Sequence, residues 1–92
     1  MWRYQAVYRK IGSGDSERTE YSICEVYLDE SGKLEGSTES PSMKPHGESL
    51  AELIGDLKIM LEDVTKWKPV DFDKMQVGMT FERTENEREA IE

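Results

Sequence analysis

The chain has 92 residues and a formal net charge of −8 at pH 7, with 20 acidic and 12 basic side chains. This length allows one domain with one modest core, and the acidic balance argues against direct binding to nucleic acid. The single cysteine excludes an intrachain disulfide, and the absence of a signal peptide or of an apolar run near ~20 residues predicts a soluble, cytoplasmic protein without membrane association.

The first 40 residues predict three strands joined by two turns. Residues 2–11 alternate between aromatic and polar side chains, and residues 19–28 are apolar on both faces, which is typical of a central strand. Glycine, serine and aspartate favour turns at 12–18 and 29–33. The polar residues 34–40 predict a short strand at the edge of the sheet.

A well-marked helix follows an irregular crossover at 41–47. Ser49 and Glu52 form an S-x-x-E capping box, which predicts a helix over about 49–64. Its apolar residues recur at intervals of three and four and fall within roughly 120° of one another. We expect this stripe to pack on the sheet and to close the core. The stripe consists of Leu50, Leu53, Ile54, Leu57, Met60, Leu61 and Val64.

Two residues of this helix do not fit an ordinary solvent face. Ile59 points away from the stripe, and Gly55 costs about 1 kcal/mol relative to alanine in a helix interior. Both residues fit a contact surface on the outer face of the helix. A single exposed apolar residue is also an ordinary feature of protein surfaces.

The remaining residues predict one more strand and a tail. Pro69 ends the helical region, and residues 74–83 alternate in hydrophobicity, which predicts a fourth strand. Residues 84–92 are charged and form either a frayed short helix or a disordered tail. Residues 1–83 therefore form a single α+β domain of β-β-β-α-β order. We expect a three-stranded antiparallel meander, a fourth strand and one main helix packed on one face.

The sequence lacks the patterns of catalytic, metal and cofactor sites. His46 is the only histidine, and Cys24 lies in an apolar run that suggests burial, so a Cys–His nucleophile is not expected. A zinc site needs about four ligands, mostly cysteine and histidine, and no glycine-rich phosphate loop is present. We therefore predict no catalytic residue, no metal and no cofactor.

Aromatic residues on the strands suggest an interaction surface instead. Basic residues alternate with aromatic ones in the first strand, a pattern found in proteins that stack single-stranded nucleic acid, but a strand with one wet face produces the same pattern. The candidate interaction surface consists of Trp2, Tyr4, Tyr8, Tyr21, Tyr27 and Ile59.

Three strings between residues 21 and 71 carry a resemblance to known proteins: YSICEVYLDESGKLEGSTESP, HGESLAELIGDLKIMLE and KPVDF. They resemble a family of short uncharacterised prokaryotic proteins with the pattern I-x-E-V-Y-x-D-x-x-G, G-E-S-x-x-E-L-x-x-D-L-x-x-M-L-E and P-V. The element order and the start of the helix are more distantly similar to the HicB-like antitoxin domain. That resemblance implies a reduced RNase H-like fold, in which the fourth strand pairs in parallel beside the first.

Two departures limit the activity that this resemblance implies. RNase H-like enzymes hold a metal through an acidic residue on the first strand, whereas residues 2–11 contain no Asp or Glu. HicB-type antitoxins often append a DNA-binding module, for which residues 84–92 are too short. The resemblance therefore implies neither a nuclease nor an operator-binding protein.

Two functional hypotheses follow from these observations. In the first, the protein is a non-catalytic, antitoxin-like interaction module whose acidic surface and sheet edge engage a small basic protein partner. In the second, it is a small-molecule-binding or enzymatic domain, with His46, Glu48, Glu25 and the tyrosines lining a pocket on the open sheet face. A homodimer formed through an edge strand is compatible with either hypothesis.

Overall fold

The computed structural model describes residues 1–84, which form one four-stranded mixed sheet and one main helix. The strands are β1 (Trp2–Ile11), β2 (Arg18–Leu28), β3 (Leu34–Ser37) and β4 (Val70–Asp71), and the helix is α1 (Leu50–Lys66). The predicted α+β class and β-β-β-α-β order are confirmed. Apart from Thr84, the predicted tail at 84–92 lies outside the described residues.

The order of strands across the sheet is β3-β2-β1-β4. β1 and β2 pair antiparallel along their whole length, from Trp2 opposite Tyr27 to Ile11 opposite Arg18. β3 pairs antiparallel with β2 and lies at the edge, as its polarity predicted. β4 runs parallel to β1, and its pairing is confined to two residues. Most of the outer edge of β1 is therefore free to contact α1.

The core lies on one face of the sheet, beneath the segment that follows α1. Its buried side chains are Val7, Cys24, Val26, Leu28 and Leu34, and the side chains packed against them are Val70, Phe72, Met75, Met79 and Phe81. Two polar residues of β1, Arg3 and Gln5, also lie on this covered face. Gln5 is fully buried, and its amide donates to the carbonyl oxygens of Ala6 and Lys68, each at 2.9 Å.

Residues 74–83 do not form the predicted fourth strand, which lies instead at Val70–Asp71, directly after Pro69. The chain turns back within 74–83, where the Met79 amide donates to the Gln76 carbonyl at 3.1 Å and Gly78 adopts φ +93°. The alternating hydrophobicity of residues 74–83 does not come from a strand. It arises because the segment crosses the core and places some of its apolar side chains against it. Its apolar residues on the core side are Met75, Met79 and Phe81.

Helix α1 begins as predicted, but it packs through only part of the predicted stripe. Ser49 Oγ accepts a hydrogen bond from the backbone N–H of Glu52 at 3.1 Å and caps the helix. Met60 is the buried residue of α1, and the helix lies against β1 on the Tyr4 side of the sheet. The segment after α1 covers the core, and four of the seven stripe residues are left exposed. Those exposed residues are Leu50, Ile54, Leu57 and Leu61.

Candidate functional site

A groove of about 820 Å³ lies between the Tyr4 side of the sheet and α1. Its walls come from β1, β2, the crossover before α1 and one side of the helix. We call it the acidic groove. It is lined by Trp2, Tyr4, Glu25, Met43, Lys44, His46, Gly47, Glu48, Glu52, Gly55, Asp56 and Ile59.

Simple periodicities bring these residues together. Trp2 and Tyr4 share a face because strand side chains alternate, and Glu25 joins them because it pairs opposite Tyr4. On α1, Glu52, Asp56 and Ile59 are spaced by four and three positions and therefore lie on one side of the helix. The groove thus has a strand wall and a helix wall, each set by local structure.

Hydrogen bonds accepted by the two aspartates of α1 hold the two walls together. The Tyr4 hydroxyl donates to Asp56 Oδ1 at 2.6 Å, and Asp56 Oδ2 accepts from the backbone N–H of His46 at 2.8 Å. The backbone N–H of Tyr4 donates to Asp63 Oδ2 at 2.9 Å. Asp56 therefore joins the strand, the helix and the crossover loop at one point.

This arrangement changes the acidity of both hydrogen-bonded side chains. Burial and the bond to Asp56 raise the pKa of Tyr4 well above its usual value. The Tyr4 hydroxyl and the His46 amide lower the pKa of Asp56, because both stabilise the ionised carboxylate. At neutral pH the pair is a neutral phenol bound to a charged carboxylate, which suits a structural role.

The strand wall presents a half-exposed indole next to a carboxylate. Trp2 is 49% exposed and meets Tyr4 edge to face, with ring centroids 5.2 Å apart. Glu25 Oε2 accepts a hydrogen bond from the Tyr27 hydroxyl at 3.0 Å, which raises the pKa of Tyr27. A cation entering here would meet both a negative charge and an aromatic ring.

The charge of the groove is predominantly negative. Four carboxylates line it, those of Glu25, Glu48, Glu52 and Asp56, against the ammonium group of Lys44. The ion pairs formed among residues 1–84 involve none of these five side chains. The field of the four carboxylates is therefore directed into the groove and attracts cations.

The cysteine of the chain lies away from the acidic groove. Cys24 lies on the opposite, covered face of the sheet, where burial raises the pKa of its thiol to about 11, so it cannot act with His46. Within residues 1–84, no group of three or more His, Cys, Asp or Glu side chains is arranged to hold a metal ion. In the same part of the chain, no helix is long and apolar enough to cross a membrane.

The predicted interaction residues fall into two groups on one sheet face. Trp2, Tyr4 and Ile59 line the acidic groove, and Tyr4 is almost fully buried there. Tyr27 pairs opposite Trp2 at the same end of the sheet. The other two aromatic residues, Tyr8 and Tyr21, contact each other near the far end of β1, with ring centroids 5.8 Å apart. The tyrosines therefore do not form one continuous patch.

Sequence reasoning missed the acidic residues of the helix wall. Glu52 was predicted only as part of the capping box and Asp56 was not singled out, yet both line the groove. One pattern in the sequence could have identified them. Glu52 and Asp56 lie on the same side of the helix as Gly55 and Ile59, the two residues that do not fit an ordinary solvent face.

No protein-family model, curated protein or solved structure matches this chain. Its function has to be inferred from the side chains themselves.

Proposed function

We propose that the protein is a non-catalytic, antitoxin-like interaction module that binds a basic protein partner in the acidic groove. The observation that carries this proposal is the set of four carboxylates, without ion-pair partners among residues 1–84, beside the half-exposed ring of Trp2. A lysine or arginine side chain satisfies both features at once, because it pairs with a carboxylate and also stacks on an indole.

The state of the groove side chains supports binding rather than catalysis. The Tyr4 hydroxyl and the Asp56 carboxylate are already engaged with each other, and Glu25 accepts from Tyr27. Groups held in this way are poorly placed to exchange protons with a substrate. Binding a cationic side chain requires only fixed negative charge and an exposed aromatic ring.

The more distant similarity of the element order and of the helix start to HicB-like antitoxin domains supports the choice of a protein partner. Antitoxins neutralise a protein, and a chain with a net charge of −8 complements a small basic one. Electrostatic attraction of this kind speeds association and weakens as the salt concentration rises. The proposal therefore predicts salt-sensitive binding.

A lysine- and arginine-rich peptide serves as the probe for this proposal. We expect it to bind in an isothermal titration at low salt and to perturb the tryptophan fluorescence, and we expect the binding to weaken at high salt. Substituting Glu25→Gln, Glu48→Gln and Glu52→Gln together should weaken binding by at least 10-fold, because three of the four carboxylates of the groove are lost.

The matched control removes the same charge elsewhere. Glu30→Gln, Glu35→Gln and Glu39→Gln together change the net charge equally, but these residues do not line the acidic groove. If both triple variants lose the same affinity, binding depends only on the net charge, and the groove is not the site. Undiminished binding to the first variant would refute the proposal directly.

A second candidate function is the binding of a small amine. It is favoured by the volume of the groove, which at about 820 Å³ lies within the range of small-molecule pockets. The predicted residues His46, Glu48 and Glu25 do line it together. Titration with spermidine distinguishes the two functions, since a small-molecule site should bind spermidine more tightly than the peptide does.

A further inference from the structure

Four large apolar side chains of α1 form a continuous exposed stripe. Leu50, Ile54, Leu57 and Leu61 are 72%, 44%, 48% and 63% exposed. At 100° per residue they lie within roughly 60° of the helix circumference. The acidic groove is on another side of the helix, so the proposed binding of a basic partner leaves this exposed stripe uncovered.

We propose that a second copy of the chain covers the exposed stripe, with the two α1 helices packed antiparallel about a two-fold axis. The contact is independent of the acidic groove and of the function proposed for it. In solution, the protein is then a reversible homodimer, and the contact between the two copies is formed by their α1 helices.

The spacing of the stripe is self-complementary. Its residues are separated by four, three and four positions, which is the 4-3-4 pattern of a two-helix seam. The spacing reads the same in both directions, so an antiparallel copy places Leu50 against Leu61 and Ile54 against Leu57. A two-fold dimer requires a patch that matches itself in this way.

The charges around the stripe favour a second copy over a basic partner. The carboxylates of α1, on Glu52, Asp56, Glu62 and Asp63, all lie at least about 110° from the centre of the stripe. The nearest charged side chain around the helix is that of Lys58. A basic partner would find no acidic residue to pair with here, whereas two acidic chains can meet at this face without opposing carboxylates.

The ends of the helix favour the antiparallel arrangement. An antiparallel pair opposes the two helix dipoles, whereas a parallel pair would place like dipole ends side by side.

The size of the stripe sets the expected strength of association. Four side chains on one helix make a contact smaller than the roughly 1,200–2,000 Å² of a standard stable interface. We therefore expect a dimer that dissociates on dilution in the micromolar range. Because each copy carries a charge of −8, added salt should strengthen the dimer, in contrast to its effect on a basic ligand in the groove.

Sedimentation equilibrium over a concentration series tests the dimer. The mass of the full chain should rise from 10.6 kDa toward twice that value, and the Leu50→Glu/Leu61→Glu variant should remain monomeric, since two pairs of carboxylates would then oppose each other. Both positions are exposed, so circular dichroism should show an unchanged fold. The control Val77→Glu alters a side chain that is 77% exposed outside the stripe and should leave the dimer intact.

A charge-reversal variant tests the orientation. Leu50→Glu combined with Leu61→Lys places opposite charges across an antiparallel contact but like charges across a parallel one. Association should recover by at least 10-fold relative to Leu50→Glu/Leu61→Glu. Three results would overturn the proposal: a wild-type monomer at every concentration, a dimer that survives Leu50→Glu/Leu61→Glu, which would place the interface elsewhere, or a failure of charge reversal to restore association.

Discussion

Arg3 lies on the covered face of the sheet, between aromatic side chains. Its guanidinium lies 4.1 Å from the ring centroid of Trp67 and 4.8 Å from that of Phe81, and Nη1 donates to the carbonyl oxygen of Tyr4 at 3.0 Å. Burial lowers its pKa to about 10, although the charge of Asp63 opposes this shift. The planar guanidinium is thus part of the covered layer.

Replacing Arg3 by lysine should therefore destabilise the protein. We expect Arg3→Lys to lower the free energy of unfolding by about 1–2 kcal/mol, because an ammonium group cannot stack between two rings and is more costly to desolvate. Urea denaturation measures the change. The control Arg18→Lys alters an exposed ion pair with Glu20 and should cost less than about 0.5 kcal/mol. Equal effects of the two variants would contradict the structural role of Arg3.

The hydrogen bonds to Asp56 should appear in the pH dependence of stability. Because folding lowers the pKa of this carboxyl group, its contribution is present above the unfolded pKa of about 3.9 and is lost as the pH falls through the folded value. Chemical denaturation at a series of pH values below about 5 should show a shallower loss of stability for Asp56→Asn than for the wild type. Tyr4→Phe removes the phenolic donor of this bond and should flatten the curve in the same direction. Parallel curves for all three proteins would contradict the role of this bond.

Cys24 should be chemically inert in the folded protein. Its side chain is fully buried, and burial raises the pKa of the thiol to about 11, so the reactive thiolate is scarce and inaccessible. A disulfide exchange reagent should label it only at the rate of unfolding. Immediate labelling in urea is the control, whereas equally fast labelling under native conditions would show that the covered face opens readily.

At the scale of elements, Gly55 weakens α1 without any packing reason. A Cβ added there would meet no atom within 4 Å. Gly55→Ala should therefore raise the free energy of unfolding by about 0.5–1 kcal/mol, through helix propensity alone. Thermal denaturation measures the gain. Gly47→Ala is the contrasting variant, because its Cβ would clash with the backbone of Leu53 and Glu52, and it should be destabilising.

The elements that depend on local signals were predictable from the sequence. The alternation of β1 and β2, the turn at Gly32 and the Ser49 cap are each decided by a few neighbouring residues, and the structure has them where expected. Periodicity identifies which residues share a face, but it does not identify what covers that face. For this reason the stripe of α1 was expected in the core, and the alternation of 74–83 was interpreted as a strand.

The candidate site was predictable only in part for the same reason. The aromatic residues of β1 could be placed on one face by alternation. The hydrogen-bond partners of Asp56 could not be predicted, because one of them depends on where the crossover places the His46 backbone. Contacts between residues distant in the chain decide both the acidic groove and the parallel pairing of β4.

At the scale of the whole molecule, the segment after α1 is essential to the fold. It supplies Val70, Phe72, Met75, Met79 and Phe81 to the core. A chain that ends at Lys66 should therefore show no cooperative unfolding transition and should bind a hydrophobic dye, because the apolar face of the sheet is bare. A truncated chain that melts cooperatively would show that α1 can cover the core by itself.

The segment that covers the core is synthesised after the strands that it covers. β1 and β2 leave the ribosome first, while their cover is completed only when Phe81 has been added. Translating the roughly 50 residues between Leu28 and Phe81 takes about 3–10 s at 5–20 residues per second. Throughout that time the apolar residues of β1 and β2 lack the side chains that cover them in the folded protein.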